Sequence, residues 1–410
     1  MTMNRLLLRW LFVFLAGGLL LGSCSDSDST EVPEEKEEPT EARVTEVVRY
    51  EKNKMTAYNI EYPSTDPYGN KVTLSGTITV GDEVTPENPG RGLLLYNHYT
   101  VYRADQCPSK GELDVQKMIP GSGLITISAD YFGFGITEDK QQAYCISMVN
   151  AQASIDALIA ARQLLPGLGY KWNDDILFNA GYSQGGQTAI AVVKLATQKY
   201  PDIHFTYTFA GGGSYDIPET YRQFIASGKT GMPSTVVSVL LAYNEYFKLG
   251  FPLSDIFVEP LLSNIDEWVL SKKYSRTSID NMIGTQAIAG FTTPAMLDLN
   301  SEISQRFMAA LETDNLCRGW TPRKDEPILL VHNKSDITVP VANTENLYKF
   351  LKDNGAENVE LQMAKWGSMF GQPAHETGAL MFATYAIEKV TNILHIKVWF
   401  NIVDVMTDLL

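Results

Sequence analysis

Histidine and cysteine are scarce in this sequence, with five and four residues among 410. No two cysteines form a C-x-x-C pair, and no His/Cys/Asp group has the spacing of a metal site, so neither a metal nor any other cofactor is expected. Basic clusters are missing as well. Lys and Arg number 33 against 48 Asp and Glu, a formal net charge of −15. Such a surface repels phosphate, so no nucleic acid is expected as a partner. No repeat of fixed period is present, which argues against solenoids and propellers. No apolar run reaches the ~20 residues that a membrane-spanning helix needs. What remains is ordinary for a chain that buries a substantial core: 44% hydrophobic and 20% charged residues. The length suits one large domain with an insertion, or two domains.

At the N-terminus, Arg5 and Arg9 precede an apolar stretch from Trp10 to Leu21, and small residues follow before Cys24. That is the order and length of a secretory signal. Leu21-Gly22-Ser23-Cys24 resembles a bacterial lipobox. The resemblance implies a signal peptide over residues 1–23, cleavage before Cys24 and lipid attachment to Cys24. The protein is then exported and lipid-anchored to a bacterial cell membrane, on its periplasmic or cell-surface face. Simple secretion with cleavage nearby is the plainer alternative. Residues 24–41 are acidic, carry Ser and Pro, and are nearly free of apolar groups, which predicts a disordered tether. Cys107, Cys145 and Cys317 are odd in number, so at most one pair forms within the chain. A Cys107–Cys145 bridge and buried free thiols both stay open.

After the tether, "ARVTEVVRYEKNKMTAYNIEYPSTD" and "KVTLSGTITVGD" alternate apolar and polar residues. The pattern predicts antiparallel strands with one face on a core. In "RGLLLYNHYT", Leu93, Leu94 and Leu95 are consecutive, as in a strand covered on both faces. "GLITISADYFGFG", "DILFNAG", "HFTYTFAGGG", "EPILLVHNKSD" and "VELQMAKWG" read as further strands. Helical stretches over 144–165, 187–200, 341–354 and 377–390 lie between or after them. Buried strands alternating with helices predict right-handed crossovers and a mainly parallel sheet, an α/β fold with antiparallel N-terminal strands. The alternation stops from Ser214 to Asp325, where "TVVSVLLAYNEYFKLG", the stretch Ser254–Ser275 and the run Leu297–Leu311 all read as helical. An inserted helical cap over 214–325 would divide a core made of 42–213 and 326–410. Caps lie above the carboxyl ends of the strands, where open sheets bind ligands. A separate helical domain without a role at the site is the alternative.

One strand ends at Gly181-Tyr182-Ser183-Gln184-Gly185-Gly186, and helix-forming residues follow. This is G-x-S-x-G between a strand and a helix, the context of a nucleophile held on a sharp, strained turn. A plain tight turn is the bland alternative. A serine hydroxyl needs a base. His204 precedes a strand, His395 lies in the tail, and His332 and His98 sit late in strands. His375, in "GQPAHETG", is predicted to occupy a loop beyond the last strand, where the base of a Ser…Asp…His order belongs. Asp336 in "HNKSDITVP" follows the strand after the insertion and is the candidate acid, with Glu376 and Asp325 weaker. The backbone N–H of Gln184 would be one oxyanion donor, and that of Tyr99 or Thr100 the other, with His98 structural.

"YNHYT", "DYFGFG", "GYSQGG", "HNKSDITVP" and "PAHETG" occur in that order. Together they resemble the α/β-hydrolase superfamily. "SADYFGFGIT", "AYCISMVNAQASIDALIAARQLL" and "GYSQGGQTA" are similar to the secretory lipase group of exported esterases and lipases. The resemblance covers roughly Val72 to Lys389. It implies a triad of Ser183, Asp336 and His375, a helical lid, and a small-molecule ester as substrate. The chain departs from the usual His-Gly at Tyr99, which leaves the second oxyanion donor open. Three rivals stay on the table: a serine peptidase of the same fold, a polysaccharide acyl esterase, and an inert binding protein. The aromatics of "DYFGFG" read first as packing. The apolar segments Val236–Leu241 and Ile256–Leu262 read either as an acyl pocket or as helix core.

Overall fold

A computed structural model describes residues 41–111, 121–368 and 373–397. The expected signal peptide, Cys24 and all but Glu41 of the expected tether lie outside the described residues. Among the described residues, nine strands form one sheet: β1 (Arg43–Tyr50), β2 (Met55–Thr65), β3 (Lys71–Gly81), β4 (Gly92–Asn97), β5 (Leu124–Ala129), β6 (Leu177–Tyr182), β7 (Tyr207–Gly211), β8 (Ile328–Asn333) and β9 (Val359–Ala364). Their spatial order is β1-β2-β3-β5-β4-β6-β7-β8-β9. The pairs β1/β2, β2/β3 and β3/β5 are antiparallel, and every pair from β5/β4 onward is parallel. This is the α/β arrangement expected from the alternation of strands and helices.

The parallel strands are covered on both faces, which explains their unbroken apolar runs. Leu93 and Leu95 of β4 face the core formed with helices α1 (Ser147–Leu164) and α2 (Gln184–Lys199), among Ile155, Leu158, Ile190 and Val193. Leu94 and Tyr96 face the other way, with Phe178, Phe209 and Leu329. Met381 and Phe382 cover that second face. They belong to α8 (Ala374–Leu394), the last helix among the described residues, which follows α7 (Ala342–Asp353) and β9.

Between β7 and β8 lie α3 (Ile217–Ser227), α4 (Pro233–Tyr246), α5 (Arg276–Ile283) and α6 (Glu302–Thr313). Asp216, Ser275 and Ser301 cap α3, α5 and α6 by accepting from the backbone N–H three residues on. Strand pairing in this interval is limited, among the described residues, to the isolated bridges Lys229/Ala287 and Phe257/Thr292. The stretch Ser254–Ser275, expected as helix, is instead a chain of short turns: Leu253–Ile256, Leu262–Asn264 and Asp266–Leu270. Pro260 falls in its middle, has no N–H to give, and cannot sit inside a helix without breaking it. Ile256, Phe257 and Leu261 are buried in the larger core, so this segment packs as core.

Cys107 and Cys145 are buried free thiols, and Cys317 is a partly buried one. Burial pushes the Cys107 thiol up to about 12. Among the described residues, no helix is long and apolar enough to cross a membrane.

Candidate active site

β6 ends at Tyr182 and α2 begins at Gln184, so Ser183 alone makes the turn. Its φ of 58° and ψ of −121° lie where side-chain-bearing residues are strained. Glycine is required on either side. A Cβ on Gly181 would lie 2.1 Å from the carbonyl oxygen of Gly185, and one on Gly185 would lie 2.0 Å from that of Asn97 at the end of β4. The turn is pinned by the Ser183 N–H donating to the Gly211 carbonyl at 2.9 Å. Ser183 is partly exposed at the positive N-terminal end of α2.

Asp336 follows β8 in a turn whose first bond runs from its own N–H to the Asn333 carbonyl at 2.9 Å. Its Oδ1 accepts the N–H groups of Thr338 (2.8 Å) and Val339 (3.0 Å). Its Oδ2 lies 2.6 Å from Nδ1 of His375, and Nε2 of His375 lies 2.8 Å from Oγ of Ser183. Three residues from distant parts of the chain therefore stand in one line of two hydrogen bonds. His375 is not in a loop as expected. It is the second residue of α8, which starts three residues earlier than the helical pattern suggested because Pro373, φ −57°, already has the helical φ. Two further contacts hold this helix start. The Tyr182 hydroxyl donates to the His375 carbonyl at 2.6 Å, and Asn333 Nδ2 donates to the Ala374 carbonyl at 2.8 Å. The weaker acid candidates are placed elsewhere: Glu376 pairs with Arg276 at 3.0 Å, and Asp325 is exposed. His204 is exposed beside Arg323, and His395 closes the last turn of α8.

The line is buried, and burial sets its electrostatics. Burial alone disfavours a charged His375, but the Asp336 carboxylate outweighs it, and the imidazole holds its proton to higher pH than usual. Burial also opposes ionisation of Asp336. His375 and His332 overcome it and hold the carboxyl well below the usual carboxylate range. The arrangement can take a proton from a serine hydroxyl and stabilise the resulting imidazolium.

The backbone N–H of Gln184 opens α2, where N–H groups lack an intrahelical acceptor. The loop His98–Thr100 lies against the same helix start, since the absent Cβ of Gly185 would also come within 2.9 Å of the His98 carbonyl. His98 is buried and stacks on Tyr131, ring centroids 4.1 Å apart, with Nδ1 2.7 Å from the Tyr99 carbonyl and Nε2 3.3 Å from that of Asp130. Tyr131, Phe132 and Phe134 of "DYFGFG" are buried. Thr100 Oγ1 meets the Tyr144 hydroxyl at 2.8 Å. Ser183, Gln184 and Tyr144 line a pocket, partly open to solvent, whose apolar wall includes Ile217, Phe224, Met232, Val236, Leu240 and Leu311. The segment Val236–Leu241 thus does reach the site, unlike Ile256–Leu262.

Residues 116–392, well over half of the sequence, match the family described as secretory lipase. The chain belongs to the secretory lipase family. Its family is one of lipases and esterases, hydrolases of esters, and the family's description points to export. No curated protein sequence matches the chain. Among solved structures, the rice cell wall degrading esterase LipA from Xanthomonas oryzae is similar with a TM-score of 0.71 at 21% identity, over 86% of this chain and 96% of that one. Candida antarctica lipase A is similar with a TM-score of 0.59 at 15% identity, over 88% and 83% of the two chains. At these identities the likeness establishes the α/β-hydrolase fold.

Sequence reasoning did not single out Tyr182 or Asn333, which hold the helix start that carries His375, and it weighed His332 only as a base. The only available signal was spacing: His332 and Asp336 are four apart in "HNKSD", and Tyr182 adjoins the serine.

Proposed function

We propose that this secretory lipase family member is an exported serine hydrolase that cleaves carboxylic esters through an acyl-enzyme. Ser183 Oγ attacks the ester carbonyl while His375 Nε2 takes its proton. Asp336 fixes the tautomer of His375 and stabilises the imidazolium. The tetrahedral oxyanion accepts from the N–H of Gln184 and from that of Tyr99 or Thr100. Collapse expels the alcohol, which leaves with the proton from His375. Water, deprotonated by His375, then attacks the acyl-enzyme, and the serine departs with that proton, releasing the acid. Residues 214–325 serve as the cap, and the apolar cavity beside Ser183 receives the acyl group. Residues 1–23 act as a lipoprotein-type signal, and Cys24 carries the lipid.

The observation that carries the catalytic reading is the unbroken line from Ser183 Oγ through His375 to Asp336, at 2.8 and 2.6 Å. An alkyl fluorophosphonate should label the protein once, and mass spectrometry should find the phosphonate on the peptide bearing Ser183. Labelling elsewhere, or no turnover of p-nitrophenyl acyl esters by the purified protein, would sink the reading. An acylated N-terminal Cys24 on protein isolated from membranes tests the anchor.

A further inference from the structure

His332 has no place in the reaction just described, yet it touches the acid. It is the fifth residue of β8, fully buried, and its Nε2 lies 3.0 Å from the Val339 carbonyl and 3.5 Å from Asp336 Oδ2. A carbonyl oxygen can only accept, so Nε2 carries the hydrogen. Nδ1 is then a lone pair, and the Thr344 hydroxyl, 2.6 Å away and also fully buried, must donate to it. The tautomer is therefore fixed by two partners, one on the loop after β8 and one in the first turn of α7. The N–H so oriented is bonded to the Val339 carbonyl, and Oδ2 of the carboxylate lies 3.5 Å from the same nitrogen. Asp336 Oδ2 thus accepts from His375 and stands beside His332, while Oδ1 is held by two backbone N–H groups.

We propose that His332 is a second histidine of this site that acts through the acid: its Nε2–H, beside Oδ2 of Asp336, limits the pull of that oxygen on His375, and the Thr344 hydroxyl sets the tautomer that allows it. The inference rests on the reading of Asp336 and His375 as acid and base. In a buried site the N–H dipole attracts charge on Oδ2 electrostatically at 3.5 Å, without a hydrogen bond between them. Removing it returns that charge to the bond with His375. Oδ1 stays anchored by the Thr338 and Val339 N–H groups, so the carboxylate keeps its place while its pull on His375 grows. His375 should then hold its proton to higher pH. The other groups that bear on His375 are unchanged by this substitution: Glu376 and Arg276, which pair with each other, and Tyr182, whose ring centroid lies 5.2 Å from that of His375.

The test is an NMR titration of the His375 ring protons in the full folded protein, with kcat/KM against pH measured beside it. With five histidines in the chain, the resonance can be assigned from single variants. His332→Phe keeps a ring and loses the N–H. It should raise the His375 midpoint by roughly half a pH unit, a change of about threefold in kcat/KM on the acid side. His332→Gln, which can return an N–H near the Nε2 position, should restore most of the shift. Thr344→Val, nearly isosteric, should move the midpoint in the same direction by less, and it keeps the test open if His332→Phe does not fold. A midpoint unmoved or lowered in His332→Phe or Thr344→Val, or Gln behaving as Phe does, would overturn the proposal, because a purely packing role predicts no dependence on the N–H. The titration needs no substrate. Failure of ester hydrolysis in the wild type would thus count against the proposed function separately from the role of His332.

Discussion

Strands β1 to β3 and strands β4 to β8 belong to one sheet but present themselves differently. Along β2, Met55 and Ala57 are buried while Thr56 and Tyr58 are partly exposed, and β1 has no buried residue at all. In β4, β6 and β8 every residue is buried. The antiparallel end connects its strands by short turns at alternate edges and assembles nothing. The parallel end sends every strand the same way, so the residues just beyond β4, β6 and β8 gather at one edge. His98–Thr100, Ser183 and Asp336 are those residues, and α8 brings His375 to them. Parallel pairing concentrates chemistry because it aligns the carboxyl ends of its strands.

The sharpest way to break this comparison is at Ser183. If the parallel edge is where the reaction happens, Ser183→Ala should lower kcat by roughly a millionfold, with an unchanged melting temperature. An alanine variant that still turns over p-nitrophenyl butyrate would move the chemistry elsewhere. Asp336→Asn comes next, with a loss of about ten-thousandfold in kcat and little change in KM, because an amide cannot hold the needed tautomer of His375. A fall confined to KM would make Asp336 a residue of the pocket instead.

The buried line also makes pH a test. His375 must be unprotonated to act as base, and it holds its proton above its ordinary value of 6.5. The acid limb of kcat/KM should therefore lie above 6.5, with about a tenfold loss per pH unit below it. Stability runs the other way. The raised imidazole contributes stability that is fully present below the unfolded value and is lost as pH rises through the folded one. The depressed Asp336 carboxyl contributes stability present above roughly pH 4 and lost as pH falls below it. Thermal melts of wild type and Asp336→Asn should show a gap that narrows as pH rises through the same limb that restores activity. A gap that widens there would contradict the pairing.

Much of the parallel end was legible because its constraints are local. Gly181, Ser183 and Gly185 announce a strand-to-helix turn by spacing alone, and the three consecutive leucines of β4 announce two covered faces. Order along the chain pointed to Asp336 and His375, the two residues that the structure brings into line with Ser183. His375 is expected one element too early, in a loop, because the polar "GQPAHETG" hides a helix start whose first turn carries His375. Tyr182 and Asn333 were illegible for a different reason. Each acts by contact with a residue remote in sequence, and nothing in a strand's periodicity says which way such a contact runs. Between β7 and β8, Pro260 is the residue that keeps the stretch Ser254–Ser275 from holding as one helix, and the apolar spacing on either side of it gives no sign of that break.

The smallest effect is expected at the other end of the sheet. Arg43 of β1 pairs with Glu61 of β2 at 2.6 Å, and its side chain is 60% exposed. An ion pair this open to water gains little over solvated charges, so Arg43→Ala should cost about 0.5 kcal/mol of stability. It should leave kcat/KM unchanged, because β2, β3 and β5 separate β1 from β4 in the sheet. The measurement is a urea melt beside an ester assay. If Arg43→Ala instead lowered turnover in proportion to nothing in the melt, the antiparallel end would have to be coupled to the site through the β3/β5 pairing. The division between a scaffold end and a working end would then fail. A loss of stability with turnover intact would sharpen it, showing that the edge strand closes the sheet without tuning the chemistry.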